Sequence, residues 1–386
     1  MTAIPSQSLI ENMIRHRRHL HQNPEVGIEL PDTHEYLANQ LMELGHSPEV
    51  HASAGVSVAI RGKIPELPSL IFRADMDALP VEETKGESVT SLRKGAMHAC
   101  GHDLHMAALL GAVEHFSANQ PSRNLVFAFQ PGEESHRGAV RTLEHKNLQV
   151  EAAETFAVHV NAALPSQSVH FRPGVFMAYG DWFDISLEGP GGHAAAPENT
   201  GNPIRAGAII EEGLVALAKE LSAPNNAVVG TVTEFLGGNT VNVIPTKARL
   251  RGTLRTVESN TRAELHHRLS ELVGQSAQKS RVAAQLNIHE GYPAVECHEG
   301  FLESALAVFR EAGLTSLNSM SEASMVIEDF SYFLRRWPGA MVWVGAATSE
   351  NPSFNHSAHA TFDEKALETA VSLFVALGST ESALVS

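Results

Sequence analysis

The densest chemistry in this chain lies in residues 97–105, which read Met-His-Ala-Cys-Gly-His-Asp-Leu-His. One cysteine and three histidines fall within positions 98–105, and thiolate and imidazole are the donors that transition metals prefer. His98, Cys100 and His102 alternate, so an extended backbone would turn all three one way. His102 and His105 would share a face if a helix began there. The rival reading of the same residues is a nucleophilic Cys100, with His98 or His102 as its base.

A second feature is Gln130-Pro-Gly-Glu133-Glu134, which directly follows an apolar run at 125–129. Adjacent carboxylates point different ways, so one can ligate a metal while the other serves as general base to a metal-activated water. Taken alone, the pair reads more simply as a solvated acidic turn. His159 lies near the end of the strand-like run 155–160. His356 lies in Asn355-His-Ser-Ala-His359, after another apolar run. Neither says much by itself. Together with Asp75 and Asp77 after a third run, however, five separate segments bring ligand-type residues to strand ends. Open α/β sheets bind ligands outside the carboxyl ends of their strands, so these segments are expected to build one metal site.

The elements that must position these residues alternate. Apolar spacing predicts helices over 10–20 and from Asp32 or Thr33 to Gly45, the latter with Asp32 or Thr33 as cap. Strands are predicted over 56–60, 70–74, 125–129 and 155–160, with a helix around 106–116. After about Met177 the pattern changes to strand 182–188, helix 204–221, strands 228–235 and 248–256, helix 262–278 and strand 282–289. That βαββαβ order predicts an inserted α+β domain of the split-βαβ kind. Helices at 302–312, 330–335 and 364–377 and a strand at 341–345 then return to the first pattern. The fold class is α/β, with a discontinuous domain of residues 1–177 and 291–386 and an insertion over 178–290.

The insertion carries Gly189-Pro-Gly-Gly-His193, a glycine-rich turn able to present a histidine to a ligand. It also carries Asn242 and Arg255 within strand-like stretches, and Arg255 could hold a carboxylate by a bidentate pair. Each has a plainer reading, an exposed hairpin histidine or a surface-strand arginine.

Composition bounds the alternatives. Over 386 residues, Lys plus Arg number 28 against 44 Asp plus Glu, a formal net charge of −16. Such a balance argues against nucleic acid and anionic membrane surfaces as partners. No apolar run approaches the ~20 residues of a membrane span, and the N-terminus lacks the order of a signal peptide. Two cysteines, Cys100 and Cys297, are too few for a disulfide scaffold, so a cytoplasmic location is expected.

With these motifs in place, the sequence resembles the M20 metallopeptidase superfamily, and within it the amidohydrolase branch of hippurate hydrolases, N-acyl-amino-acid amidohydrolases and indole-acetyl-amino-acid hydrolases. The resemblance runs from Arg18-His-Leu-His-Gln-Asn-Pro-Glu25 through Arg73-Ala-Asp-Met-Asp77, the Cys/His cluster, Gln130–Glu134, Gly192-His-Ala-Ala195 and Asn242-Val-Ile-Pro245 to Glu328-Asp-Phe330 and the His356 loop. It implies a metal-dependent catalytic domain with two divalent ions per chain (zinc, manganese, cobalt or nickel), and an inserted lid domain through which such proteins often form homodimers. By motif, the ligands would be Cys100, His102, Glu134, His159 and His356. Glu133 would be the general base and His193 would polarise the scissile carbonyl. Asn242 and Arg255 would hold the substrate carboxylate, with Asp77 and His105 supporting the ligands. The implied reaction is hydrolysis of the amide of an N-acyl amino acid, acetyl or benzoyl among others. A di- or tripeptidase or an aminobenzoyl-glutamate-type hydrolase is the alternative. The sequence departs from the family pattern at Ala194–Glu198, at Gly132 and at Ile327. None of these is a proposed ligand, and all bear on substrate preference.

Overall fold

Four strands, buried throughout except for half-buried Asn161, form the centre of the first of two units: Leu125–Gln130, Ser69–Asp75, Ala153–Asn161 and Gly339–Gly345. Continuous apolar runs are what strands covered on both faces require. In this computed structural model, which describes residues 5–84, 89–134, 137–348 and 354–385, the four strands lie side by side and parallel in that order. Antiparallel neighbours flank them. Gly55–Ile60 pairs with Leu125–Gln130, and Val169–Phe171 pairs with Gly339–Gly345, within an eight-stranded mixed sheet. Because the four central strands are parallel, their carboxyl ends share one edge.

The helices form close to where periodicity predicts, at Gln7–Gln22, Pro31–Glu43, His102–Ala118, Glu299–Glu311, Ser331–Leu334 and Ala366–Gly378. The second differs in its cap. It starts at Pro31, and neither Asp32 nor Thr33 caps it. Instead the backbone N–H and hydroxyl of Thr33 each donate to Glu25 Oε2 at 2.8 Å, so a carboxylate from the preceding loop satisfies the free amide. The three-residue strands Glu49–His51, Val169–Phe171, Val295–Cys297 and Leu317–Ser319 have no counterpart among the expected elements.

The chain divides into two compact units, one of Met1–Gly174, Glu296–Met320 and Asp329–Ser386, the other of Val175–Val295 and Ser321–Glu328. The second unit has a four-stranded antiparallel sheet in the order Val228–Gly237, Lys247–Thr256, Tyr179–Glu188, Ala283–Tyr292. Helices Pro203–Leu221 and Ser259–Ser280 pack on one face through Ile210, Leu214, Leu265 and Leu269 against Ile185, Leu250 and Leu254. The expected bounds of 178–290 leave out 321–328, which joins this unit because the Ala178 N–H donates to the carbonyls of Ser324 (3.0 Å) and Val326 (3.1 Å).

A buried ion network fixes the first helix to the central one. Arg17 Nε lies 3.0 Å from Asp103 Oδ2, His21 Nδ1 lies 2.8 Å from the same oxygen, and His21 Nε2 lies 3.0 Å from Glu83 Oε1. Both partners of His21 are carboxylates, so only the imidazolium can donate to both. Burial by itself would lower the His21 pKa, but Asp103 and Glu83 raise it to about 9. A folded-state value above the unfolded ~6.5 means the stabilisation is full below pH ~6.5 and is lost as pH rises through about 9. We expect the gap in melting temperature between the parent and His21→Gln to be widest below pH 6.5 and to close between pH 7 and 9.5. A gap independent of pH would show that His21 is neutral in the fold.

Candidate metal centre

The carboxyl edge of the central sheet gathers the residues that the motifs single out. Asp75 is the last residue of its strand, His159 is two residues before the end of Ala153–Asn161, and Glu133 and Glu134 come three and four residues after Gln130, which ends its strand. His102 begins the helix His102–Ala118. Gly101 precedes it with φ +86°, and a Cβ there would lie 2.3 Å from Val160 Cγ2. Only glycine therefore allows the Cys100 turn to run directly into the helix beside the His159 strand.

Distances show one donor cluster. Cys100 Sγ lies 3.2 Å from His356 Nε2 and 3.5 Å from His159 Nε2. Glu134 Oε1 lies 3.2 Å from His356 Nε2 and 4.0 Å from His102 Nε2. Within the first unit, two groups each bring one donor atom per residue within 4.8 Å of one another: Asp75, His102, His105 and His159, and Cys100, His102 and Glu134.

Hydrogen bonds to the far ring nitrogens set which donors are free. His102 Nδ1 lies 2.7 Å from the Asp77 carbonyl, and His159 Nδ1 lies 2.8 Å from the Val160 carbonyl. A carbonyl can only accept, so both Nδ1 atoms carry hydrogen and both Nε2 atoms turn bare lone pairs inward. His105 differs. Its Nε2 accepts from Val160 N at 2.8 Å and its Nδ1 donates to Asp75 Oδ1 at 2.5 Å, so both nitrogens are engaged. The Asp77 carboxylate accepts from the backbone N–H groups of Glu133 (2.9 Å) and Glu134 (3.0 Å), which fixes the turn bearing both glutamates.

Behind this layer, Arg73 ties two buried carboxylates together. It donates to Asp75 Oδ2 and Asp329 Oδ1 at 2.8 Å each, and its Nε donates to Gln130 Oε1 at 2.9 Å. Burial alone would raise the Asp75 carboxyl, but His102, His105 and Arg73 hold it well below the ordinary range. Burial and the Glu134 carboxylate push Asp77 well above its usual value.

The donor set fits a divalent ion. Among the described residues, buried His102 Nε2 has no hydrogen-bond partner and faces Glu134 Oε1 at 4.0 Å, a costly arrangement that a shared cation satisfies. Burial pushes the Cys100 thiol well above its ordinary value, and Glu134, Glu133 and Asp75 push it further. An activated nucleophile needs the opposite environment, which removes the main support for a thiol amidase. A coordinated cation reverses this balance, because a ligating thiol is held as thiolate.

One expectation is corrected here. Residues 99 and 100 form a turn rather than an extended run, so His98 does not face the same way as Cys100 and His102. His98 is buried and belongs to neither donor group, and among the described residues both its ring nitrogens are without a hydrogen-bond partner. Desolvation lowers its pKa to about 3, so it is neutral. Asp75 stands at a strand end as expected, whereas Arg73, Asp329 and Asn355 escape sequence reasoning because Arg73–Asp329 and Asn355–Cys100 pair across more than 250 positions.

In the second unit, His193 and Asn242 are neighbours. Val243 pairs with His193 in a two-stranded ladder, and Ala194 N donates to the Asn242 carbonyl at 3.0 Å. Gly191, at φ +64°, supplies the turn before His193, which is exposed. Arg255 lies on a different strand. Its guanidinium donates to the Thr253 hydroxyl and to the carbonyls of Leu254 (2.9 Å) and Asp181 (3.4 Å), and it makes no ion pair among the described residues.

Comparison with known proteins gives a consistent picture. The model of peptidase family M20/M25/M40 matches residues 71–379. An N-acetyldiaminopimelate deacetylase from Bacillus velezensis is 34% identical over 371 residues, covering 95% of this chain and 97% of its own. The protein of the same name from Bacillus subtilis is 34% identical over 94% of this chain and 96% of its own. Among solved structures, the Bacillus subtilis YxeP protein, described as a dinuclear metal-binding peptidase of the M20 family, superposes with a TM-score of 0.81. It shares 27% identity across 97% of this chain and 98% of that one.

Proposed function

Because the chain belongs to peptidase family M20/M25/M40 and is an amidohydrolase of that family, we propose that it removes the acyl group from N-acyl amino acids, acetyl first among them. The observation that carries this reading is the convergence of Cys100, His102, Glu134, His159 and His356 on one volume, with Glu133 on the same Asp77-anchored turn. The choice of acetyl is supported by relatives named N-acetyldiaminopimelate deacetylase over nearly the whole chain.

In this reading the five residues hold two divalent ions. When bound, the ions acidify a water and polarise the scissile carbonyl. Glu133 takes a proton from the attacking water and hands it to the amine nitrogen as the C–N bond breaks, leaving a carboxylate and a free amino acid. Asp77 holds Glu133 and Glu134 in register through their backbone amides. His105 braces Asp75 against the His159 strand. His193 is assigned to polarise the carbonyl, and Asn242 and Arg255 to hold the substrate carboxylate. The lack of an ion pair on Arg255 among the described residues supports that last role. The reading includes a homodimer through the second unit. Its support is the open edge strand Val228–Gly237, which exposes Phe235 and Leu236. No helix among the described residues is long and apolar enough to cross a membrane.

The test combines elemental mass spectrometry of purified protein with hydrolysis of N-acetyldiaminopimelate, other N-acetyl amino acids, hippurate, and di- and tripeptides. We expect about two ions per chain, turnover of an N-acetyl amino acid, loss on chelation, and recovery with Zn²⁺, Mn²⁺ or Co²⁺. Chelator-indifferent turnover by metal-free protein would overturn the reading. A preference for free peptides would replace the deacylase with a peptidase.

A further inference from the structure

We infer that Asn355 is a positioning residue that locks His356 into the metal centre and so sets how tightly one of the ions is held; the inference rests on the metal-dependent reading above.

Three segments meet at its carboxamide. Oδ1 accepts from Ala162 N at 3.0 Å, just past the strand that carries His159. Nδ2 donates to the Val160 carbonyl at 3.1 Å and to the Cys100 carbonyl at 3.2 Å, and lies 3.9 Å from Cys100 Sγ. The Val160 carbonyl is the same group that His159 Nδ1 engages at 2.8 Å. One side chain therefore joins the Cys100 turn, the His159 strand end and the loop bearing His356. An amide supplies two donors and an acceptor, and all three are needed here.

His356 needs such a clamp. Its φ is +68°, in the left-handed region that non-glycine residues seldom adopt. It sits on a loop rather than a helix or strand, and its side chain is 53% exposed, unlike the buried Cys100, His102 and His159. Among the described residues, its own backbone tie to the centre is one hydrogen bond, from its N–H to the Ala99 carbonyl at 2.8 Å. Without the carboxamide, the loop loses its cross-links to Cys100 and Val160. Nε2 is then no longer held 3.2 Å from both Cys100 Sγ and Glu134 Oε1.

The experiment compares the parent with Asn355→Ala and Asn355→Asp by competition for Zn²⁺ against a chromophoric chelator. Melting temperature and turnover at saturating Zn²⁺ are measured alongside. The aspartate keeps the shape but cannot donate, so it carries the test if the alanine variant folds poorly. We expect one of the two Zn²⁺ affinities to fall at least tenfold in both variants, the other to stay within about threefold, and turnover to recover largely at saturating Zn²⁺. Two unchanged affinities with a lowered melting temperature would assign Asn355 a structural role only and overturn the inference, leaving the metal reading intact. A parent that binds no Zn²⁺ would overturn both.

Discussion

Replacing Glu133 with glutamine is expected to lower kcat for N-acetyl amino acid hydrolysis about a thousandfold, close to 4 kcal/mol of transition-state stabilisation. Glutamine keeps the volume and the backbone N–H that binds Asp77 at 2.9 Å, so the turn and its neighbour Glu134 stay in place. What is lost is the ability to accept a proton from the attacking water and pass it to the leaving amine. Metal content and melting temperature should match the parent, because Glu133 is not among the five proposed ligands. Retention of more than a tenth of the parent's kcat would remove the general-base role. A parallel loss of bound metal would make Glu133 a ligand instead.

The second large effect is on stability. Arg73→Met is expected to destabilise the first unit by about 3–5 kcal/mol, the usual consequence of leaving buried charges without a partner. Arg73 is 1% exposed, and Asp75 and Asp329, whose oxygens lie 2.8 Å from it, are wholly buried. Methionine fills much of the volume but supplies neither charge nor donors. A fall in melting temperature of roughly 6–15 °C is expected for a unit of this size. Metal affinity should fall as well, because Asp75 orients His105, and His105 accepts from the Val160 N–H beside His159. Arg73→Lys keeps the charge but not the fork, and should lie between the two. A melting temperature within 2 °C of the parent in Arg73→Met would show that the carboxylates take up protons at little cost.

Much of the architecture is local and was therefore legible. The strand at 125–130 is a continuous apolar run, and the helix at 102–118 carries its apolar residues at helical spacing. The βαββαβ order of the insertion follows from the same kind of pattern. The three-residue strands were not legible, since so short a stretch carries no period and pairs only because a neighbour offers an edge. The cap of the second helix was misjudged because its acceptor, Glu25, lies eight residues upstream of Thr33.

The site divides in the same way. The proposed ligands Cys100, His102, Glu134, His159 and His356 and the proposed base Glu133 stand in short motifs, because metal and proton chemistry require those residue types. Their convergence follows from parallel strands ending at one edge, which the alternating pattern already implied. Which nitrogen each histidine turns inward was decided by tertiary structure, through the Asp77 and Val160 carbonyls. The exclusion of His98 was decided by the turn at 99–100, which breaks the alternation its spacing suggested. The supports of the centre, Arg73 with Asp329 and Asn355 with Cys100, join residues more than 250 positions apart. A hydrogen bond of that kind leaves no periodic trace in the chain. It exists only once the sheet has brought its strand ends together.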